Sequence, residues 1–403
     1  MLSIIAWRNV WRSKGRSFAV IGAIVLGIAA LTFSFAFIQS FMKVYIENAI
    51  NDQYGHIQLH HPKFSTNDEI QYDIENIEQV VAGLENNEMV KAVTSRTLIN
   101  GMANTADGTS GVQIYGVHPE AENAVFNLKD ELVDGQYFEG VRKNPILIGE
   151  EMAEKLEVKV GSKLVLTFSD ENGNLTTAAF RIAAIFNTNS PILNQSGVFV
   201  LQDDLKRLLG EHMIHEIVLR LKNQKMLEQA AQQISNKFPE LQIQTWKELA
   251  PELELITTQT RTFQFIIMGI IMLALGFGIV NTMLMAVLER MKEIGMLMAI
   301  GMNKLRVFLM IILETIMMAL VGGPIGLLLG LAIVKHFQHY GFDLSDYARG
   351  LEKFGYDTVV YPTLEPQYYL YMALGVIVTA LLGAIYPAIK SIKLKPVEAI
   401  NKI

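Results

Sequence analysis

The chain contains no cysteine, and this absence excludes disulfide bonds and thiolate metal sites. It also lacks the GxxxxGKS/T pattern, so it has no Walker A loop for ATP. The GxSxG pattern of serine hydrolases and the HExxH pattern of zinc proteases are absent as well. His56 and His60 could share one strand face, but no carboxylate is placed to complete a metal site, which favours ordinary strand histidines. We therefore predict no catalytic residues, no bound metal or cofactor, and no nucleic-acid partner for this chain.

Charged residues are scarce in four long apolar runs. Residues 263–288 contain no Asp, Glu, Lys or Arg, and residues 307–334 contain only Glu314. The runs at 17–41 and 367–389 are similar, and all four reach the roughly 20 residues that a helix needs to cross a bilayer. The first run is longer than the apolar core of a signal peptide and has no small-residue cleavage site at its end, so we expect it to be retained.

Basic residues cluster at three places outside these runs, namely before residue 17, at 289–306 and after residue 389. The positive-inside rule predicts that these three segments are cytoplasmic, which places the acidic segment 42–262 on the other side. The predicted fold is an integral membrane α-helical bundle of four transmembrane helices, with a large extracytoplasmic α+β domain inserted between helices 1 and 2. The predicted parts, in chain order, are a cytoplasmic interfacial helix at 1–16, a first span at 17–41, the α+β domain at 42–262, a second span at 263–288, a cytoplasmic helix and loop at 289–306, a third span at 307–334, an outer loop at 335–366, a fourth span at 367–389 and a cytoplasmic tail at 390–403.

Residues 1–16 combine two tryptophans, Trp7 and Trp11, with several basic residues. An ordinary basic flank of the first span would explain the charges but not the tryptophans. The pattern favours a helix in the cytoplasmic interface, with the tryptophans at headgroup depth.

Segment 42–262 is long enough for a sizeable globular core. Its two ends predict strands that pair into one split sheet with helices on one face, and residues from about 119 to 211 are then an insertion. Within this insertion, the Asn172-Gly173 pair predicts the turn of a hairpin. Residues 247–262 are expected to form a helical stalk that leads into the second span.

The charged segment at 289–302 lies between the second and third apolar runs and is too short to be a domain. Its pattern is amphipathic, and Gly301 is a predicted helix stop. The apolar side comprises Ile294, Leu297, Met298 and Ile300, and the charged side comprises Arg290, Lys292 and Glu293. A short helix at this position is well placed to be moved by a partner that docks beneath it.

In the third apolar run, Gly322, Gly326 and Gly330 recur at four-residue spacing. Small residues at this spacing allow close helix approach, although glycine is also common in membrane helices without any partner role. Glu314 is a lone carboxylate near the cytoplasmic end of the same run, where a bond to a neighbouring helix is favoured over a proton path.

The layout of one span, a large outer domain and three further spans resembles the FtsX/MacB-type permeases of the mechanotransmission ABC transporters. Within that family the chain is most similar to the LolC/LolE transmembrane subunits of the lipoprotein-releasing complex. The resemblance extends over essentially the whole chain. The matching segments are Arg8-Asn9, 278–281, 289–295, 299–301, Glu314, Gly322-Gly323, 386–388 and 395–399.

The resemblance implies that the 289–302 helix is a coupling helix on a separate cytoplasmic ATPase, which binds ATP and Mg. It also implies the bacterial inner membrane, a periplasmic α+β domain, a second permease copy or a paralogue, an acylated lipoprotein substrate, contact with membrane lipid and, in some members, a periplasmic lipoprotein carrier. The residues expected to couple to the ATPase are Glu289, Arg290, Lys292, Glu293, Gly295 and Gly301.

Aromatic residues mark the outer ends of the first two spans, where they could line a cavity for acyl chains or merely face lipid. These residues are Phe33, Phe37, Phe41, Phe263 and Phe265. The hairpin at about 168–180 is short and acidic, unlike the carrier-binding hook of LolC, so carrier docking through it is not expected. A MacB-like tripartite exporter and an FtsX-like regulator of a cell-wall hydrolase remain alternative functions.

Overall fold

The computed structural model describes residues 2–64, 70–170, 173–210, 213–347, 350–351, 356 and 358–393. They form two compact units. The helical unit comprises the described residues of Met1–Met42, Thr257–Leu344 and Val359–Ile403, and the sheet unit comprises those of Lys43–Ile256 and Ser345–Thr358. Most of the predicted tail, residues 394–403, lies outside the described residues.

The secondary structure alternates long helices with one strand-rich region. Up to residue 249 the elements are α1 (Leu2–Arg12), α2 (Lys14–Ala49), a π turn (Ile50–Tyr54), β1 (Ile57–His60), α3 (Ile77–Glu85), β2 (Val90–Asn104), β3 (Thr109–Val117), α4 (Pro119–Phe126), β4 (Leu132–Gly135), β5 (Pro145–Gly149), α5 (Glu150–Lys155), β6 (Lys163–Ser169), β7 (Leu175–Phe186), α6 (Pro191–Ser196), β8 (Gly197–Leu201), α7 (Gln202–Leu209), β9 (Glu216–Leu221), α8 (Leu227–Lys237), β10 (Gln242–Thr245) and α9 (Trp246–Leu249). The remaining elements are α10 (Pro251–Glu289), α11 (Met291–Ala299), α12 (Lys304–Tyr340), β11 (Phe342–Asp343), β12 (Val359–Val360) and α13 (Pro366–Ile392).

Four of the described helices are long and apolar enough to cross a membrane. They are α2 together with the π turn, α10, α12 and α13, and each contains one of the apolar runs. The helices extend beyond those runs because helical hydrogen bonding continues through polar residues at both ends. The first of them, for example, is a single helix from Lys14 to Tyr54.

The three regularly spaced glycines of α12 lie at close helix contacts. A Cβ atom at Gly322 would lie 3.0 Å from Ile24 Cγ2, and one at Gly330 would lie 2.6 Å from Thr32 Cβ. At Gly326 the nearest atom would be a backbone oxygen of α2, at 2.9 Å. The absence of side chains therefore allows α12 to pack directly against α2, as expected for small residues in membrane helices.

The first part of the sheet unit is a split antiparallel sheet in the order β10-β1-β9-β2. The strands that the sequence predicts at the two ends of 42–262 thus pair with each other. Their apolar side chains pack with α3 and α8, which contribute buried residues at helical spacing. These residues are Val80, Leu84, Leu227, Ala230 and Ile234.

The second part of the sheet unit is a closed six-stranded barrel. The pairing runs from β2 through β3, β8, β5 and β7 to β6, and β6 pairs back with β2. In β6 the side chains alternate, so that Leu164, Leu166 and Phe168 are buried in the interior cluster. Closure leaves no free strand edge along this ring.

The barrel differs from the predicted insertion at about 119–211, because it also uses β2 and β3, which lie before residue 119. β2 has 15 residues, which corresponds to roughly 50 Å of strand. Its first half pairs with β9 of the split sheet and its second half pairs with β6 of the barrel. One long strand therefore belongs to both parts.

The stalk predicted at 247–262 is divided into two helices. Thr245 and Glu248 form a capping box at the start of α9, and the helix stops at Ala250 (φ −128°, ψ 68°). The residue before a proline is disfavoured in helical conformation, so Pro251 starts a new helix instead of continuing the old one. That helix, α10, then runs without interruption to Glu289.

Candidate coupling site

The predicted coupling segment folds as a short helix between two chain reversals. α10 ends at Glu289, Arg290 has non-helical angles (φ −97°, ψ 20°), and α11 begins at Met291. At the other end, Gly301 has φ +102° and donates its N–H to the carbonyl of Met298. The N–H of Met302 bonds the carbonyl of Leu297, so the helix ends in a Schellman motif, which explains why glycine stands at 301.

Arg290 points into the helical unit. Its Nη1 donates to Glu314 Oε1 at 3.2 Å, and its Nη2 donates to the Asn9 carbonyl at 3.0 Å and to Ser13 Oγ at 3.3 Å. The sequence placed Arg290 on the charged outer side of the helix, and this placement is wrong. The helix restarts after Arg290, so the arginine does not follow the periodicity of the residues behind it.

Glu314 is paired within this centre. Its side chain is 9% exposed and that of Arg290 is 14% exposed, so both charges are largely shielded from solvent. A carboxylate in an apolar helix requires such a partner, because an unpaired charge would be costly there. The structure thus shows the interhelical bond that the sequence favoured, here to the residue that separates α10 from α11.

Two further ion pairs join the N-terminal segment to the coupling segment. Arg12 donates both Nη atoms to Glu293, with Nη2–Oε1 at 2.7 Å and Nη1–Oε2 at 3.1 Å. Arg16 pairs with Glu289. The two glutamates, which were predicted to contact the ATPase, therefore bond to residues of their own chain. Exposed pairs of this kind contribute little stability, about 0–1 kcal/mol each, so their importance is geometric.

A cavity of about 310 Å³ lies between α1, the end of α10, α11 and α12. Its lining is mainly apolar, and Arg290 and Glu314 contribute polar groups. The apolar lining includes Ile5, Met283, Val287, Ile294, Leu297 and Met310.

The outward surface of the coupling segment combines apolar and basic side chains. Met296 is 54% exposed and Ile300 is 82% exposed, whereas Ile294 and Gly295 are buried. Leu305 at the start of α12 is also exposed. The basic residues Lys292, Lys304 and Arg306 of the same segment are exposed as well. The sequence assigned Ile300 to the same apolar side as Ile294, and both residues line the cavity described above, but Ile300 is far more exposed than Ile294.

The five phenylalanines of the predicted substrate cavity form separate groups within one chain. Phe33 packs against Phe337 at a ring-centroid distance of 5.4 Å, and Phe37 packs against Phe342 at 5.3 Å. Phe41 stacks on Phe37 at 5.9 Å. Phe265 contacts Tyr371 of α13 at 5.9 Å, whereas Phe263 is 58% exposed. A single chain therefore does not bring all five rings to one cavity.

The N-terminal partners of the coupling segment were not predicted from the sequence. Asn9 was noted only as part of a matching segment, and Arg12 and Arg16 only as basic residues that set orientation. Their partners lie far along the chain: 281 residues separate Arg12 from Glu293, and 273 residues separate Arg16 from Glu289. The only available signal was charge complementarity between two short charged segments.

A family profile described as a MacB-like periplasmic core domain matches residues 17–237, more than half of the chain. A second profile, described as the FtsX-like permease C-terminal region, matches residues 265–396. This chain is an FtsX/MacB-type ABC transporter permease. The resemblance that the sequence suggested is thereby confirmed.

The permease is similar to curated relatives of two kinds. It is 21% identical over 399 residues to the lipoprotein-releasing system transmembrane protein LolE of Haemophilus influenzae, covering 95% of this chain and 93% of LolE. It is 29% identical over 160 residues to the macrolide export ATP-binding/permease protein MacB of Agrobacterium fabrum, covering 37% of this chain and 21% of that protein. The MacB of Escherichia coli K12 is 30% identical over 139 residues, with 33% and 21% covered.

Two solved structures resemble parts of the permease. The periplasmic region of MacB from Actinobacillus actinomycetemcomitans covers 52% of this chain and 97% of that chain, with 11% identity and a TM-score of 0.36. The extracellular domain of the ABC-type transporter YknZ from Gram-positive bacteria covers 47% and 99%, with 16% identity and a TM-score of 0.33.

Proposed function

We propose that this permease, together with a separate cytoplasmic ATPase, extracts acylated lipoproteins from the bacterial inner membrane for transfer toward the outer membrane. The observation that carries the proposal is the similarity to LolE, which extends over nearly the full length of both chains. The matches to MacB cover only about a third of this chain. Both termini and the coupling segment are cytoplasmic in this proposal, and the sheet unit is periplasmic.

The coupling segment supports docking of an ATPase. Its exposed side chains include the apolar Met296 and Ile300 and the basic Lys292, Lys304 and Arg306. We propose that the apolar pair forms the centre of the docking surface and that the basic residues form its rim. An apolar centre with a polar rim is the usual composition of a protein interface. ATP and Mg bind to the partner in this proposal, and α11 receives the movement that ATP drives there.

The ion pairs of the site then distribute that movement within the permease. A push on α11 reaches α12 through Arg290 and Glu314, and it reaches α1 through Arg12 and Glu293.

Extraction of a lipoprotein requires this external energy. At about 0.8 kcal/mol per buried CH₂, three long acyl chains anchor a lipoprotein with on the order of 30–40 kcal/mol. The membrane segments must therefore offer an alternative apolar site. Because the five phenylalanines do not meet in one chain, we propose that a second copy or a paralogue completes this site between two permeases.

A MacB-like exporter is the second candidate function. The MacB-like periplasmic core profile covers most of the sheet unit, which favours a domain that acts on substrates already outside the membrane. An FtsX-like regulator of a cell-wall hydrolase shares the C-terminal helices with this chain. Only the first proposal predicts a bound acylated protein.

The test is ATP-dependent release of a fluorescent triacylated lipoprotein from proteoliposomes that contain the permease and its co-purified ATPase. Reversal of one charge, Glu293→Arg, should abolish release because it places two arginines together, whereas the swap Arg12→Glu/Glu293→Arg should restore it. Glu85→Arg, an exposed reversal in the sheet unit, is the matched control. Absence of lipoprotein release by the unmodified complex would refute the proposed substrate.

A further inference from the structure

The first long helix ends inside the sheet unit in an unusual turn. Residues Ile50–Tyr54 form a π turn, and the N–H of Gly55 bonds the carbonyl of Ile50 at 2.8 Å. Gly55 has φ +64°, and a Cβ there would lie 2.3 Å from Val218 Cγ1, so only glycine fits. Single π turns inside helices are uncommon and occur often at functional sites.

Three consecutive side chains of this turn bond to different parts of the sheet unit. Asn51 Oδ1 accepts from Arg220 Nη2 at 3.1 Å, which joins it to β9 of the split sheet. Asp52 Oδ2 accepts from the backbone N–H of Asn189 at 2.8 Å, and Gln53 Oε1 accepts from Ser190 Oγ at 2.7 Å. The last two bonds hold the connection between β7 and α6, which belongs to the barrel.

The Asp52 bond is well suited to holding the barrel in place. The side chain is almost buried, at 8% exposure for the residue, and its carboxylate bonds a backbone N–H. Hydrogen bonds with an ionised acceptor are about twice as strong as neutral ones. Removal of the carboxylate would also strand a backbone donor in a site with little access to water.

The segment that receives these bonds is itself fixed. Asn194 Oδ1 accepts from the N–H of Thr188 at 2.9 Å, and Asn194 Nδ2 donates to the Thr188 carbonyl at 2.7 Å and to Asn187 Oδ1 at 2.8 Å. Gly149 lies so close to Asn194 that a Cβ would be 2.2 Å from the Asn194 carbonyl oxygen. Displacement of residues 189–190 would therefore be passed to the barrel strands on both sides of them.

We propose that Asp52 and Gln53 are the positioning residues through which movement of the first long helix reaches the barrel. The helix from Lys14 to Tyr54 is continuous, so a displacement at its membrane segment arrives at these two side chains. This inference rests on the proposed function, in which ATP-driven movement reaches the periplasmic domain. It adds that the bonds from Asp52 and Gln53 to residues 189–190 carry this movement to the barrel.

The experiment uses the full-length permease with its ATPase in lipid nanodiscs. Because the chain has no cysteine, spin labels can be placed specifically by Lys43→Cys at the end of α2 and Leu175→Cys at the barrel hairpin, both exposed positions. The distance between the labels should be narrowly distributed and unchanged between the nucleotide-free and vanadate-trapped states. In Asp52→Ala/Gln53→Ala it should broaden and differ between the states, because the helix moves without the barrel.

Two further variants separate positioning from general destabilisation. Asp52→Asn keeps an acceptor for the Asn189 N–H and should preserve the narrow distribution. Asn86→Ala removes an exposed, local side-chain bond to the Ala82 carbonyl elsewhere in the sheet unit and should change nothing. A double-alanine variant with the same narrow distribution as the unmodified chain in both states would overturn the inference.

The functional readout is the amount of lipoprotein released per ATP hydrolysed. This ratio should fall at least severalfold in Asp52→Ala/Gln53→Ala, while the ATPase rate is retained. An unchanged ratio would overturn the inference even if the distances broaden. If the unmodified complex releases no lipoprotein, the proposed substrate is refuted, and the distance measurement alone decides whether the contact carries movement to the barrel.

Discussion

The Arg290–Glu314 pair allows a double-mutant cycle that separates its structural role from its role in coupling. Arg290→Met removes three hydrogen bonds and leaves the carboxylate of Glu314 without its partner in a site where the side chain is 9% exposed. Loss of one partner of a shielded ion pair costs about 3–5 kcal/mol. Glu314→Met leaves Arg290 with two of its three acceptors, so we expect a cost of about 2 kcal/mol.

The double variant Arg290→Met/Glu314→Met should be more stable than Arg290→Met alone. Replacement of a shielded ion pair by apolar residues of similar volume is often neutral, and only the bonds to Asn9 and Ser13 remain lost. The summed cost of the single variants should exceed that of the double variant by about 3 kcal/mol. Stability is measured by reversible unfolding of the full chain in mixed detergent micelles.

Coupling should not recover with stability. The double variant no longer connects the start of α11 to α1 through Arg290, so ATP hydrolysis should continue with little release per ATP. Simple addition of the two single costs would refute the pairing. Normal release per ATP in the double variant would refute the view that this centre transmits movement from α11.

Two other predictions concern packing and pH. Gly330→Ala places a Cβ 2.6 Å from Thr32 Cβ and should cost about 1–3 kcal/mol in the same unfolding assay, whereas Gly278→Ala, with no atom within 4 Å, should be neutral. Burial, together with the charge of Arg220, lowers the pKa of His56 from 6.5 to about 4, and burial also lowers the pKa of His215. Between pH 6.5 and about 4 the unfolded chain binds more protons than the folded chain. The free energy of unfolding should therefore be highest above pH 6.5 and fall as the pH drops toward about 4. His56→Gln should reduce this pH dependence, and an unchanged slope would show that His56 does not cause it.

Most of the features that the sequence predicted correctly depend on local patterns, and the pairing of strands from the two ends of 42–262 is the exception. The four long helices follow from uninterrupted apolar runs, and the close approach of α12 to α2 follows from the spacing of Gly322, Gly326 and Gly330. The end of the coupling helix at Gly301 follows from the need for a positive φ. In each case a few neighbouring residues determine the outcome.

The features that the sequence missed depend on contacts between distant residues. A single helical periodicity over 289–302 placed Arg290 outward, because the break before Met291 is not visible in the pattern of apolar residues. The barrel was missed because β6 pairs with the second half of β2, about 60 residues earlier in the chain. Neither the pairing partner nor the length of β2 can be read from alternation within one strand.

Three of the four charged residues that were predicted to couple to the ATPase bond within the permease, whereas Lys292 is exposed. The three bonded residues are Arg290, Glu289 and Glu293, and the apolar Met296 and Ile300 are exposed. In the proposed transporter, affinity for the ATPase would thus come from the apolar centre, and transmission would come from the ion pairs behind it. In that proposal, binding and transmission would be carried by different residues of the 289–306 segment, so each could be changed without the other.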